Sequence, residues 1–149
     1  MRLLNIETLK FREFHGDLPP YAIASHRWCD DEATYKDVEK SRNQESAGFK
    51  KIWNFCNFLR NRNELLKLDE QCDENSKLVC ECLWIDTCYI DKKSSAELQE
   101  TINSMFSWYA RATVCYAYLA DFPPIPEHHT LEGHVENLEY TVWFRRGWT

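Results

Sequence analysis

Three short apolar segments, each ending in polar residues, limit this chain to a small set of folds. They span residues 21–25, 78–86 and 114–121. Nearly continuous apolar runs of this length are typical of strands that are covered on both faces. Two longer segments with helical periodicity, residues 47–68 and 95–112, lie between them. The alternation predicts an α/β fold in which a mostly parallel sheet is flanked by helices.

A short N-terminal hairpin is expected ahead of the first of these strands. Apolar residues flank the stretch 5–8 on both sides, and Pro19 and Pro20 then punctuate the chain. The pattern favours a small hairpin or two short edge strands.

The segment 95–112 has the clearest helical pattern. Ser94 and Glu97 fit a capping box at its start, which explains Glu97 as a capping partner rather than a catalytic carboxylate. The helical stripe also favours core packing for Trp108 and Tyr109. The apolar residues that form this stripe are Leu98, Ile102, Met105, Phe106 and Tyr109.

The charge and hydropathy patterns exclude several classes of partner. The chain has 18 Lys and Arg against 24 Asp and Glu, a formal net charge of −6, and no basic run. A broad nucleic-acid or anionic-membrane footprint is therefore not expected, although one small ligand held by an Arg remains compatible. The N-terminus does not resemble a signal peptide, and no apolar stretch is long enough to span a membrane, so we expect a cytoplasmic protein.

The seven cysteines are expected to be reduced thiols, because their number is odd and their spacing irregular. Cys80, Cys82 and Cys88 lie close together in sequence but lack a supporting C-x-x-C pair. Buried or surface thiols are therefore favoured over a metal site, and we expect no metal.

Three blocks of the chain together resemble the HET family, the heterokaryon-incompatibility module of fungal cell-death proteins. Residues 21–28, YAIASHRW, resemble the family's YAILSHTWG, and residues 84–92, WIDTCYIDK, resemble WIDTCCIDK. Residues 143–149, WFRRGWT, resemble WFTRGWT. Two of the departures from the pattern matter for the loop after the first block: Arg27 replaces a Thr, and Cys29 replaces a Gly that would permit positive φ or close ligand approach.

The resemblance implies a fold and an activity, because HET domains are similar to TIR domains. TIR domains have a flavodoxin-like fold, and several cleave NAD at the nicotinamide–ribose bond once they assemble. The resemblance would align residues 21–25, 83–86 and 114–121 with the first three TIR strands. Residues from Trp143 would then begin the segment that carries the TIR catalytic Glu, which HET sequences place after "RGWTLQ".

The expected catalytic Glu therefore lies beyond Thr149. On this resemblance we expect a single HET domain over residues 1–149, cut at its C-terminal end and with most or all of its catalysis missing. The implied substrate is NAD or a related nucleotide, with no cofactor. The implied alternative is a non-catalytic signalling module that acts by self-association.

The candidate ligand residues follow the carboxyl ends of the strands, where open α/β sheets bind ligands. Each also has a structural alternative. His26 and Trp28 could pack locally, and Asp86 could cap the following turn instead of orienting a ribose hydroxyl. Adjacent Arg145 and Arg146 cannot both point one way, so at most one would grip a phosphate. The candidates are Ser25, His26, Arg27, Trp28, Asp86, Trp143 and Arg146.

Overall fold

The structure, a computed structural model, describes residues 1–68, 78–89, 95–123 and 138–145. These residues form five strands and four helices. The strands are β1 (Arg2–Asn5), β2 (Phe11–Glu13), β3 (Tyr21–His26), β4 (Cys82–Ile85) and β5 (Val114–Tyr118). The helices are α1 (Tyr35–Glu39), α2 (Ala47–Leu68), α3 (Asp86–Tyr89) and α4 (Ser95–Arg111).

The five strands form one sheet in the order β2-β1-β4-β3-β5. β3 and β4 are parallel, with Tyr21 opposite Cys82. The backbone N–H of Thr113, just before β5, donates to the carbonyl oxygen of Tyr21, the first residue of β3, at 3.0 Å. The two strands therefore start at the same end of the sheet. The three strands predicted from the apolar segments are therefore neighbours, and they lie in the order second, first, third.

The expectation of a mostly parallel sheet is wrong for the two N-terminal strands. β1 runs antiparallel to both β2 and β4. β1 and β2 are joined by a short turn, which cannot connect parallel strands. The Asn5 side chain stabilises this turn by accepting the backbone N–H groups of Glu7 and Thr8 at 3.2 and 2.9 Å. The predicted N-terminal hairpin is confirmed.

Several element boundaries differ from those expected. The second strand begins at Cys82, and Asp86 starts α3 instead of ending the strand. The short helix α1 was not predicted. Its N-terminus is a capping box in which Thr34 and Asp37 each accept the other's backbone N–H. The helix predicted over residues 47–68 is confirmed as α2.

The core is built on β3 and β4, in which every residue is buried. On one face, Trp84 contacts α4: its ring lies 5.5 Å from that of Trp108 and 6.0 Å from that of Tyr109. Alternate residues such as Ala22 and Leu83 point to the opposite face and are buried as well. Trp108 and Tyr109 therefore pack against the core, as predicted.

The predicted apolar stripe of α4 is only partly correct. Met105, Trp108 and Tyr109 pack against the core cluster, but Phe106 is 85% exposed and Ile102 is 36% exposed. Successive helical residues are separated by about 100°, so a helix that turns Met105 to the sheet turns Phe106 away. The predicted capping pair of Ser94 and Glu97 lies outside the described residues.

The loop after β3 is held against the start of α2. Asp31 accepts two backbone N–H groups of the helix, that of Gly48 on its carbonyl oxygen at 3.0 Å and that of Ala47 on its carboxylate at 3.1 Å. The Lys51 ammonium lies 2.6 Å from the Glu32 carboxylate, and these side chains are only 5% and 8% exposed. The loop is therefore fixed by a helix that lies further along the chain.

The chain divides into two compact units. The first, here called the sheet unit, comprises Met1–Ala24 and Trp28–Tyr116. The second, here called the strand-end unit, comprises Ser25–Arg27 and Ala117–Thr149. In the described part of the chain, no helix has both the length and the apolar character that crossing a membrane requires.

Replacing Lys51 should destabilise the protein strongly. Lys51→Ala leaves the Glu32 carboxylate buried without its cation, which costs about 3–5 kcal/mol of unfolding free energy. Urea denaturation measures this loss. The matched control is Lys50→Ala, because Lys50 pairs with Glu45 on the surface with exposed fractions of 58% and 94%. The control should cost at most about 1 kcal/mol. Equal losses in the two variants would contradict a stabilising role for the buried pair.

Gly48 should tolerate no side chain. A Cβ there would overlap the backbone nitrogen of Ala33 and lie 2.7 Å from the Glu32 carbonyl carbon. Gly48→Ala should therefore lower the unfolding free energy by about 1–3 kcal/mol through overpacking. Gly16→Ala is the control, because no atom lies within 4 Å of a Cβ at that position. Urea denaturation of both variants should show a loss for Gly48→Ala alone, and a stable Gly48→Ala protein would show that the loop can move.

Candidate functional site

The carboxyl end of β3 carries a buried hydroxyl that is bound by a distant tryptophan. Ser25 is 9% exposed, and its Oγ accepts a hydrogen bond from the indole Nε1 of Trp143 at 3.1 Å. Both residues belong to the strand-end unit. Two of the predicted candidates, 118 positions apart in sequence, are thus brought into direct contact.

The segment that carries Trp143 is also held by the residue Asp121, which follows β5. The Asp121 carboxylate accepts the backbone N–H of Val142 at 2.8 Å. Within the segment, the Leu138 carbonyl oxygen accepts both the backbone N–H and the hydroxyl of Thr141, at 3.0 and 2.9 Å. Residues 138–145 are therefore held by Asp121 and Ser25, through Val142 and Trp143.

His26 is buried at the last position of β3, with 1% of its surface exposed. Its Nδ1 lies 3.2 Å from the carbonyl oxygen of Arg27. A carbonyl oxygen only accepts, so Nδ1 is the donor in this contact. This contact fits the structural alternative of local bonding. Any acid–base role would have to pass through Nε2. Arg27 itself is exposed.

Trp28 and Asp86 form a second group, in the sheet unit. The indole Nε1 of Trp28 donates to Asp86 Oδ2 at 3.0 Å, and both residues are half-buried. Asp86 therefore ties the loop after β3 to the start of α3. The neighbouring Thr87 hydroxyl is buried and makes no hydrogen bond among the described residues. Buried polar groups normally have partners, so this hydroxyl is available to a ligand or an ordered water.

Cys29, which stands where the HET pattern has Gly, does not strain the loop. The non-glycine residues with positive φ in the described chain are Leu9, Ser41 and Asn43, so Cys29 adopts an ordinary backbone conformation. Partial burial raises the pKa of the Cys29 thiol, and the nearby Glu32 carboxylate raises it further. The thiol is therefore protonated at neutral pH and is not an activated nucleophile.

The remaining predicted candidate and the possible metal ligands are only partly described. Arg146 lies outside the described residues, whereas Arg145 is exposed. The Cys88 side chain is also outside the described residues. Whether Cys80, Cys82 and Cys88 lie close enough to share a metal ion is therefore not described. Within the described ranges, no group of three or more His, Cys, Asp or Glu side chains is placed to hold a metal ion.

Sequence reasoning missed two residues that organise these groups. Asp121 lies at the polar end of the third strand segment, on the side of the sheet where ligands bind, but the sequence gives it no specific role. Glu32 belongs to the acidic stretch 30–32, which indicates only a loop or a helix start. Its partner Lys51 lies 19 residues away, and no local pattern indicates that pairing.

Comparison with known proteins found one similarity that covers most of the chain. Over 139 residues, 90% of its length, the chain is 39% identical to the vegetative incompatibility protein HET-E-1 of Podospora anserina. The chain is homologous to a fungal incompatibility protein. It spans 9% of the length of that relative. The similarity supports the HET resemblance, and it does not bear on likeness to TIR domains.

Two other comparisons gave no match. No family model matches the chain. No solved structure matches it either.

The Trp28–Asp86 hydrogen bond should be measurable as a coupling energy. A double-mutant cycle with Trp28→Phe and Asp86→Ala, followed by urea denaturation, isolates the pair from other effects of each replacement. A hydrogen bond to a charged group should give a coupling of about 1.5–3 kcal/mol. The control cycle pairs Trp28→Phe with Asp17→Ala at an exposed position and should show additivity. Additivity in both cycles would contradict the bond.

Proposed function

We propose that this chain is a HET domain of a fungal non-self recognition and programmed cell-death protein. Support comes from the 39% identity to HET-E-1 and from the three motif blocks, which occur in the family's order. The relative is a vegetative incompatibility protein, which fits a role in recognising non-self and killing the cell. Residues 1–149 would form one such domain.

We further propose that the domain is TIR-like. The strands β4, β3 and β5 lie in the order second, first, third, which matches the 2-1-3 start of the flavodoxin-like order. The antiparallel hairpin of β1 and β2 is then an addition at the β4 edge. In the flavodoxin-like order the ligand crevice lies at the carboxyl ends of the first and third strands, where the strand order reverses. On this proposal those strands correspond to β3 and β5.

The proposed activity is binding and cleavage of NAD or a related nucleotide. The observation that carries it is the buried Ser25 hydroxyl at the end of β3, next to the Trp143 indole. A nucleotide site needs hydroxyl or N–H partners for ribose and an aromatic face for a base, and in this proposal Ser25 and Trp143 would supply them. Exposed Arg27 is suited to a pyrophosphate.

The other proposed ligand groups have defined roles to test. Asp86 would act through its carboxylate, which is held by Trp28. His26 would act through Nε2, and Arg146 as a second phosphate ligand. The carboxylate that stabilises a developing oxocarbenium ion would be the Glu that the HET motif places after RGWTLQ, by analogy with glycosidase carboxylates.

The alternative proposal is a non-catalytic module that signals by self-association. It is favoured by the apolar surface of α4, where Phe106 is 85% exposed and Ile102 36% exposed. Large exposed apolar residues at a four-residue spacing on one helix are suited to contact with another protein surface.

NAD cleavage should require the catalytic carboxylate that the HET motif places after the RGWTLQ block. NAD loss is followed by chromatography for this chain and for a longer protein in which the family's LQE follows Thr149, both at high concentration. Only the longer protein should react, because losing one essential group costs several orders of magnitude in rate. Cleavage by both would move the chemistry to residues such as Asp86 or Glu97, and cleavage by neither would favour self-association.

Two substitutions separate the proposals in the longer protein. Ser25→Ala should slow NAD cleavage by about tenfold or more, because a hydrogen-bonding group is lost. The matched control is Ser107→Ala, at an exposed position on α4. Phe106→Ser should weaken assembly. Cell death that survives Ser25→Ala but fails with Phe106→Ser would support the module and contradict the enzyme.

A further inference from the structure

Two consecutive residues of the 138–145 segment donate hydrogen bonds to side chains that lie near the ends of two different strands. Val142 donates its backbone N–H to the Asp121 carboxylate at 2.8 Å. Trp143 donates its indole N–H to Ser25 Oγ at 3.1 Å. Asp121 follows β5 and Ser25 lies within β3, and these strands are neighbours in the sheet. All four residues belong to the strand-end unit.

The Asp121 bond fixes the backbone immediately before Trp143. A carboxylate that accepts a backbone N–H makes a charge-assisted bond, which is shorter and stronger than a neutral one. The two residues are 21 positions apart, so the contact is tertiary and not part of a local turn. A tryptophan side chain has only two rotatable bonds, so fixing the backbone at Val142 limits the indole of Trp143 to a few rotamer positions.

We infer that Asp121 is a positioning residue of the candidate nucleotide site, which sets the Trp143 indole against the Ser25 hydroxyl. Asp121 need not touch the ligand, because its effect passes through the backbone of Val142. The importance of this placement for NAD rests on the function proposed above. The placement itself does not, and it can be measured in this chain without any ligand.

The indole N–H signals in a ¹H–¹⁵N spectrum report the placement directly. The chain has six tryptophans, and Trp143→Phe identifies the signal of Trp143. Ser25→Ala removes the acceptor and should shift that signal. Asp121→Ala should shift it in the same direction, whereas Asp121→Asn keeps an acceptor oxygen and should leave it near the wild-type position.

Two controls separate placement from general unfolding. The Trp28 indole N–H donates to Asp86 in the sheet unit, so its signal should stay unchanged in both Asp121 variants. Asp17→Ala, which removes an exposed carboxylate, should leave the Trp143 signal in place. A Trp143 signal that is unmoved by Asp121→Ala would overturn the inference. So would an Asp121→Asn shift as large as that of Asp121→Ala.

Kinetics of the longer protein test the same residue under the proposed function. Asp121→Ala should lower kcat/KM for NAD by roughly 10- to 100-fold, since small misplacements of a site group have effects of that size. Asp121→Asn should restore most of the loss. If the wild-type protein leaves NAD intact, the proposed function fails and the spectra alone decide the role of Asp121. If the spectra show no coupling, the inference fails whatever the NAD result.

Discussion

The parallel pairing of β3 and β4, buried on both faces, determines where the other described elements can lie. Each large apolar side chain that such strands bury contributes about 1.5–3 kcal/mol, so the pairing dominates the local energetics. The hairpin adds to the remaining edge of β4, α4 packs against Trp84, and β5 lies on the other side of β3. Because β3 is buried through its last residue, the polar side chains of Ser25 and His26 are buried with it.

Those buried polar groups explain the form of the candidate site. A buried hydroxyl or imidazole without a partner costs free energy, so each is hydrogen-bonded: Ser25 to the Trp143 indole and His26 to the Arg27 carbonyl. The same bonds that satisfy these groups also orient them. A ligand that bound Ser25 would therefore compete with, or share, the contact made by Trp143.

The loop after β3 depends on a different interaction, the buried pair of Glu32 and Lys51. Buried ion pairs add little net stability compared with apolar residues, but breaking one is costly, which makes them effective at fixing a single arrangement. Glu32 also accepts the backbone N–H of Cys29 at 3.0 Å, so the pair reaches the loop that carries Trp28. Gly48 permits the close approach of α2 that this arrangement requires.

The sequence by itself determined the three central strands, helix α2, most of α4, the hairpin and the HET motif order, because burial imposes apolar runs and helical periodicity on the residues themselves. It did not determine that β1 pairs antiparallel with β4, that Phe106 points away from the sheet, or that Asp86 begins a helix. Nor did it reveal that Asp121 binds Val142 or that Trp143 binds Ser25. The strand pairing and the two hydrogen bonds join residues far apart in the chain, which no local pattern of residues encodes. Which side of α4 faces the sheet, and where α3 begins, depend on how the packed elements meet.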